Sequence, residues 1–335
     1  MSEPEAEVWA SEPKVELHLH LEGAAPPALT RAVAAEAGAP VDDLIDPEGG
    51  YRWGDFTDFL AAYDRVARLF ASPERAAALC EAVLREAAAH GVIYAELIVS
   101  PEFAGGDASL WAEYCAALDA GADAAERQAG IVARYTATAV RHFGPEAAER
   151  AAALAVAAAS PRVTGFGLAG DERAGRPCDF ARAFARAGEA GLGLTAHAGE
   201  FAGPESVRGA LDDLGVARIG HGVRAAEDPA LVARLAEQGV TLEICPGSNV
   251  ALGVAPGWAA HPIGRLRADG VRVTVSTDDP PFFATSMSRE YAELAALGWD
   301  AAALRGLARA ALDAAFCDAG TRAAVSARLE EGRMR

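Results

Sequence analysis

Short apolar runs rich in β-branched residues recur along the chain, and between most of them lie amphipathic or alanine-rich stretches of helical length. The runs are VELHLHL (15–21), VIYAELIV (92–99), IVARYTATAV (131–140), VTGFGLA (163–169), LGLTAHA (192–198), ARIGHG (217–222), VTLEICP (240–246) and VRVTVST (271–277). Eight strands alternating with helices, each connection long enough for a right-handed crossover, predict an α/β fold, the (β/α)8 TIM barrel. A doubly wound open sheet shares this alternation, and strand count alone does not separate the two. WGDFTDFLAAYDRVARLF (53–70) reads as an extra amphipathic helix after strand one, either packed into the core or covering a pocket. Residues 287–331 read as two or three further helices, and no linker marks a boundary, so one domain over 1–335 is expected.

Composition narrows the class. With 51% hydrophobic and 23% charged residues the chain supports a packed core. A net charge of -18 argues against a nucleic-acid groove, which needs clustered Lys and Arg, and favours a small-molecule partner. The five cysteines are scattered without CxxC spacing, so a reducing compartment and no disulfide framework are expected. The acidic start lacks the features of a signal peptide, and no apolar run reaches membrane-spanning length; a cytoplasmic location is the expectation. Oligomeric state is not legible.

Ionisable residues gather where the apolar runs end, at the face where barrels carry their chemistry. His18 and His20 stand two apart on an extended strand and so share a face, as two ligands of one ion require. A histidine in an apolar strand is more often a satisfied core residue, but His197 and Asp278 at other strand ends complete a nitrogen and oxygen set suited to Zn²⁺, with one position left for water. His90, at a helix end, His142, in a polar connection, and His261, before a proline, have structural explanations and are assigned no chemistry. Lys14 is the only lysine and precedes strand one, so a carboxylated lysine on strand four cannot bridge two ions; a mononuclear site is favoured.

KVELHLHLEGA, GFGLAGDE, TAHAGE, RIGHG, CPGSN and STDDP, in this order between residues 13 and 295, resemble the motifs of the adenosine deaminase family. The resemblance implies a barrel with one zinc held by His18, His20, His197 and Asp278. It further implies that Glu200 protonates a purine ring nitrogen, that His221 orients and helps deprotonate the attacking water, and that Asp279 and the Gly170 N–H contact other purine nitrogens. Gly170 could equally be a turn residue.

Two positions depart from the family pattern. Glu22, a glutamate that related adenine deaminases also carry, stands where animal adenosine deaminases have the aspartate that meets the sugar. Ile98 replaces an arginine in YAELIVSPE. The LAGDE segment, Leu168 to Glu172, is similar to the nucleoside type, and on its weight the expected reaction is conversion of adenosine and 2′-deoxyadenosine to inosine and ammonia. The alternative is a deaminase of adenine or of a 5′-extended or N6-substituted adenosine. A barrel hydrolase of esters or lactones and a non-catalytic purine-binding relative are the readings outside this class; the first leaves Asp279 and Glu200 without a purpose, and the second sits poorly with a complete residue set.

Overall fold

The computed structural model describes residues 8–332. Its eight strands are β1 (Lys14–His20), β2 (Val92–Val99), β3 (Val132–Val140), β4 (Val163–Ala169), β5 (Gly193–Ala198), β6 (Arg218–His221), β7 (Thr241–Ile244) and β8 (Arg272–Val275). All neighbouring strands pair in parallel and in sequence order. The ring closes just beyond β8. The His20 N–H donates to the Asp278 carbonyl at 3.0 Å and the Asp278 N–H to the His18 carbonyl at 3.1 Å, while Ser276 Oγ accepts from the Leu17 and His18 amides. Closure removes the open-sheet alternative and threads Asp278 between the two histidines of β1.

Three helices fill the long segment after β1: α1 (Pro27–Ala37), α2 (Phe56–Leu69) and α3 (Pro73–Ala89). Asp55 caps α2 by accepting from the Thr57 and Asp58 amides, which offsets two of the unpaired N–H groups of its first turn. One side of α2 buries Phe59, Ala62 and Val66 in the core, and Phe56, Leu60 and Tyr63, with Phe59 among them, line a pocket over the barrel mouth. The two expected roles of this helix therefore coexist and meet at Phe59. Three helices follow the barrel, Met287–Ala296, Ala301–Ala314 and Ala319–Gly332. No helix among the described residues is long and apolar enough to cross a membrane.

The connection before the last helix plugs the end of the barrel away from the mouth. Phe316 packs where Gly165 and Gly193 lie opposite one another; a Cβ at Gly193 would collide with the Phe316 ring at 2.3 Å. The Arg218 guanidinium stacks 3.5 Å from the same ring centroid. This floor carries a buried charge chain that supports the mouth from below.

Candidate active site

The four residues singled out as ligands converge. His20 Nε2 and His197 Nε2 are 3.2 Å apart, and Asp278 Oδ1 lies 3.2 Å from His18 Nε2 and 3.3 Å from His20 Nε2. One donor atom from each of the four falls within 4.8 Å of the others, the pattern of a metal-binding cluster. His18 Nε2 has no hydrogen-bond partner although it is buried. Such an orphaned nitrogen is costly unless something occupies the space it faces.

The other polar atoms of His18, His197 and Asp278 are already satisfied, which aims these donors inward. His197 Nδ1–H donates to the Leu168 carbonyl at 3.1 Å, leaving the Nε2 lone pair free. Asp278 Oδ2 accepts from Ser248 Oγ at 2.7 Å, leaving Oδ1 free. His18 Nδ1 donates to Glu243 at 2.9 Å. Partners of this kind set the tautomer and orientation of metal ligands. Burial disfavours a charged imidazole at His18, yet Asp278 and Glu243 outweigh it and raise the group to about 10; burial and the neighbouring imidazoles push His197 well below the ordinary range. The pocket thus demands positive charge that three crowded imidazoles cannot all supply. A second set, His18, His221, Cys245 and Asp278, also comes together. Burial pushes the Cys245 thiol well up, so it is a poor source of the thiolate a metal needs.

Beneath the cluster, Glu243 also accepts from Thr195 and pairs with Arg218, which in turn holds Glu96 at 2.6 Å; all three charged side chains are 1% exposed. The sequence reading passed over Glu96, Arg218 and Glu243. Their signal was a charge inside an apolar run, where such groups are seldom buried unless paired.

Glu200, His221, Asp279 and Gly170 line the same pocket, with Ile98 and Phe103 on its wall. Burial, then the Asp278 and Glu172 charges, push the Glu200 carboxyl well up, which favours its protonated form. Burial and Asp278 do the same for Asp279, whose Oδ1 is buried without a partner. Gly23 makes room for this carboxyl, since a Cβ there would coincide with it. His221 Nε2 faces Glu200 at 3.7 Å and Asp278 at 3.9 Å. His221 and Asp278 adopt left-handed backbone, φ 59° and 67°, at a cost of about 1–3 kcal/mol each. Gly170 also has positive φ, 89°, and a side chain there would crowd His142, so its turn role and its place in the pocket coexist.

Two groups behave differently from their sequence reading. Glu172, the last residue of LAGDE, does not reach the pocket. Its carboxylate accepts from the backbone amides of Gly199, Glu200, Phe201 and Ala202 and from the Ser206 hydroxyl, clasping the loop that carries Glu200. Glu22, by contrast, is held by both oxygens: Tyr63 donates at 3.0 Å and Tyr114 at 3.1 Å. Burial raises its carboxyl against these hydrogen bonds.

A closed parallel barrel with three imidazoles and a carboxylate converging at its mouth defines a metal-dependent hydrolase of the amidohydrolase class. The adenosine deaminase family model matches residues 13–331, and the chain belongs to that family; it is a hydrolytic deaminase of purines. A protein named adenine deaminase from Rhizobium rhizogenes is 51% identical over 319 residues, 94% of this chain and 98% of that one. One of the same name from Chelativorans sp. is 52% identical over 95% of this chain and 98% of its own length. Among solved structures, the adenine deaminase of Arthrobacter aurescens superposes with a TM-score of 0.88 at 29% identity, covering 97% of this chain and all of that one. An amidohydrolase from Burkholderia ambifaria with bound Zn has a TM-score of 0.88 at 28% identity, over 100% and 94% of the two chains.

Proposed function

We propose that this enzyme hydrolyses adenine to hypoxanthine and ammonia, and that its metal is a single zinc. The observation that carries the substrate is the double clasp on Glu22. At the position where the family's nucleoside enzymes offer a carboxylate to the sugar, Glu22 is drawn onto Tyr63 and Tyr114, and Tyr63 lines the pocket while Glu22 does not, so a ribose hydroxyl would meet the tyrosine before the carboxylate. LAGDE, which favoured adenosine, loses that weight because Glu172 is a loop clasp. The names of the relatives agree with a free base, so the alternative reading fits better than adenosine.

The donor set suits zinc. Three imidazole nitrogens and a carboxylate oxygen separated by gaps of 3.2, 3.2 and 3.3 Å would be spanned by metal–ligand bonds of about 2.0–2.2 Å, and these four residues would leave one further position for water. Zinc, when bound, lowers the pKa of a water toward neutrality and so supplies the nucleophile. The chain's own residues do the rest. Glu200, protonated, gives its proton to the ring nitrogen beside C6, and the neutral carboxyl of Asp279 donates to an imidazole-ring nitrogen. The Gly170 N–H meets a third ring nitrogen, and His221 and Asp278 flank the oxygen that adds to C6. Ammonia then leaves from the same carbon.

A side-by-side rate panel tests the substrate. Adenine should be consumed, followed by its ultraviolet change, with adenosine, deoxyadenosine and N6-methyl or 5′-phosphorylated forms far slower; faster turnover of adenosine than of adenine sinks this reading. His197→Ala should purify with well under one zinc per chain, and unchanged metal content removes His197 from the ligand set.

A further inference from the structure

A line of hydrogen bonds leads out of the pocket from His221 to a histidine that the sequence reading set aside. The backbone N–H of Ile263 points at His261 Nδ1 at 3.2 Å. His261 Nε2 then meets Asn249 Oδ1 at 3.1 Å, and Asn249 Nδ2 meets His221 Nδ1 at 3.2 Å. All three side chains are buried. A peptide N–H only donates, so the polarity of the whole line follows from its outer end. His261 Nδ1 must accept, which places its ring proton on Nε2. That proton goes to the amide oxygen of Asn249, and the amide NH₂ is therefore turned toward His221. His221 Nδ1 must accept in turn, leaving its own proton on Nε2, the nitrogen that faces Glu200 and Asp278. Burial keeps His261 neutral by lowering it to about 4, so the line is not reversed by protonation at its outer end.

We propose that Asn249 and His261 are positioning residues that lock His221 in its Nε2–H tautomer, making it a hydrogen-bond donor to the oxygen added at purine C6 and not the base that removes that oxygen's proton. A neutral imidazole with its proton on Nε2 has no lone pair to offer into the pocket, and it cannot gain a second proton on Nδ1 without meeting the Asn249 NH₂ head on. The C6–O bond then forms while Asp278 takes the proton from the arriving oxygen and Glu200 supplies one to the ring. Asp278 returns its proton to the departing amino group and the proton of the C6 hydroxyl passes back to Glu200 as the carbonyl forms, so both carboxyls recover their starting states without His221 changing state. The inference rests on the placing of His221 and Glu200 about the reacting carbon, but not on which purine is bound.

The test uses zinc-loaded enzyme with ¹⁵N-labelled histidine and reads by NMR which ring nitrogen of His221 is protonated, His221→Gln identifying its signals. Nε2–H is expected in the wild type. In Asn249→Asp the carboxylate accepts where the amide donated, so the proton should appear on Nδ1. The same variant should lose roughly 10²–10³-fold in kcat, the cost of one misdirected donor, with KM and zinc content unchanged. His261→Gln, which still donates to Asn249, should retain Nε2–H and most of kcat. A wild-type proton on Nδ1, or an Asn249→Asp enzyme with Nε2–H and near-normal kcat, overturns the proposal. Should Asn249→Asp fail to fold, the wild-type and His261→Gln spectra decide. Faster turnover of another purine than of adenine, with the Nε2–H signal intact, overturns the substrate assignment alone.

Discussion

Replacing Arg218 by methionine isolates the worth of the charge chain beneath the metal cluster. The guanidinium is 1% exposed, pairs with Glu96 at 2.6 Å and with Glu243, and stacks on Phe316. Methionine keeps the stem but strands two buried carboxylates. Glu96 retains hydrogen bonds from Tyr94 and the Phe316 amide, and Glu243 those from Thr195 and His18, so the groups stay solvated in part by protein. Breaking one partner out of a buried ion pair costs about 3–5 kcal/mol, and that is the expected destabilisation at pH 8. The pH dependence has a definite sign. In the wild type, burial raises Glu243 but Arg218 and His18 more than compensate and hold it below its ordinary value. Its contribution is therefore present above the unfolded carboxyl pKa of about 4.3 and lost only as pH falls through the folded value. Without Arg218 the burial effect gains ground, the folded pKa rises, and the variant loses stability as pH increases. Urea unfolding at pH 8 and pH 5.5 should show the gap between the two proteins narrowing toward acid by about 1 kcal/mol or more. Because Glu243 orients His18, zinc affinity should also fall about 10–100-fold. A loss below about 1 kcal/mol at pH 8, within the range of an exposed pair, or a gap that does not change with pH, refutes the reasoning.

Glu200→Gln should keep one zinc per chain and lose about 10²–10⁴-fold in kcat; near-normal turnover removes Glu200 from the acid role. Glu172→Ala should leave zinc content intact but expose the 199–202 amides to faster hydrogen exchange and lower kcat, because four backbone donors lose their acceptor; unchanged exchange there contradicts the clasp. Burial raises the Glu290 carboxyl to about 8 against hydrogen bonds from Thr285 and Gly247. Its folded pKa is above the unfolded one, so its stabilising contribution is full below about pH 4.3 and lost as pH rises toward 8, on the order of a few kcal/mol. Glu290→Gln should flatten the fall in unfolding free energy across that window, and an unchanged slope rules the group out.

Much of the molecule was legible in one dimension because two periodicities carry it. Apolar runs marked every barrel strand to within a few residues, and strand ends marked where chemistry gathers. His18 and His20 share a face by strand geometry alone, and His197, Glu200, His221, Asp278 and Asp279 announced themselves as ionisable residues ending apolar runs. What one dimension does not hold is direction and pairing across the barrel. LAGDE read as part of a substrate motif, yet only the fold shows Glu172 turned away to clasp the β5 loop. Glu22 read only as a departure at the position that meets the sugar, and it is the fold that brings Tyr63 of α2 and Tyr114 of the helix Ala108–Ala129 onto its two oxygens.

His261, set aside as a residue before a proline, becomes part of the site only because the chain from Asn249 returns it to His221's outer side. The eight alternating strand and helix units and the candidate ligand set were thus marked by residue type and spacing, since runs and strand faces are local properties of the backbone. Ring closure, the orientation of Glu172, the engagement of Glu22 and the hydrogen-bond polarity at His221 were decided by tertiary structure. Each depends on partners dozens to hundreds of residues away, and a hydrogen bond's direction is fixed only when both of its ends are in place.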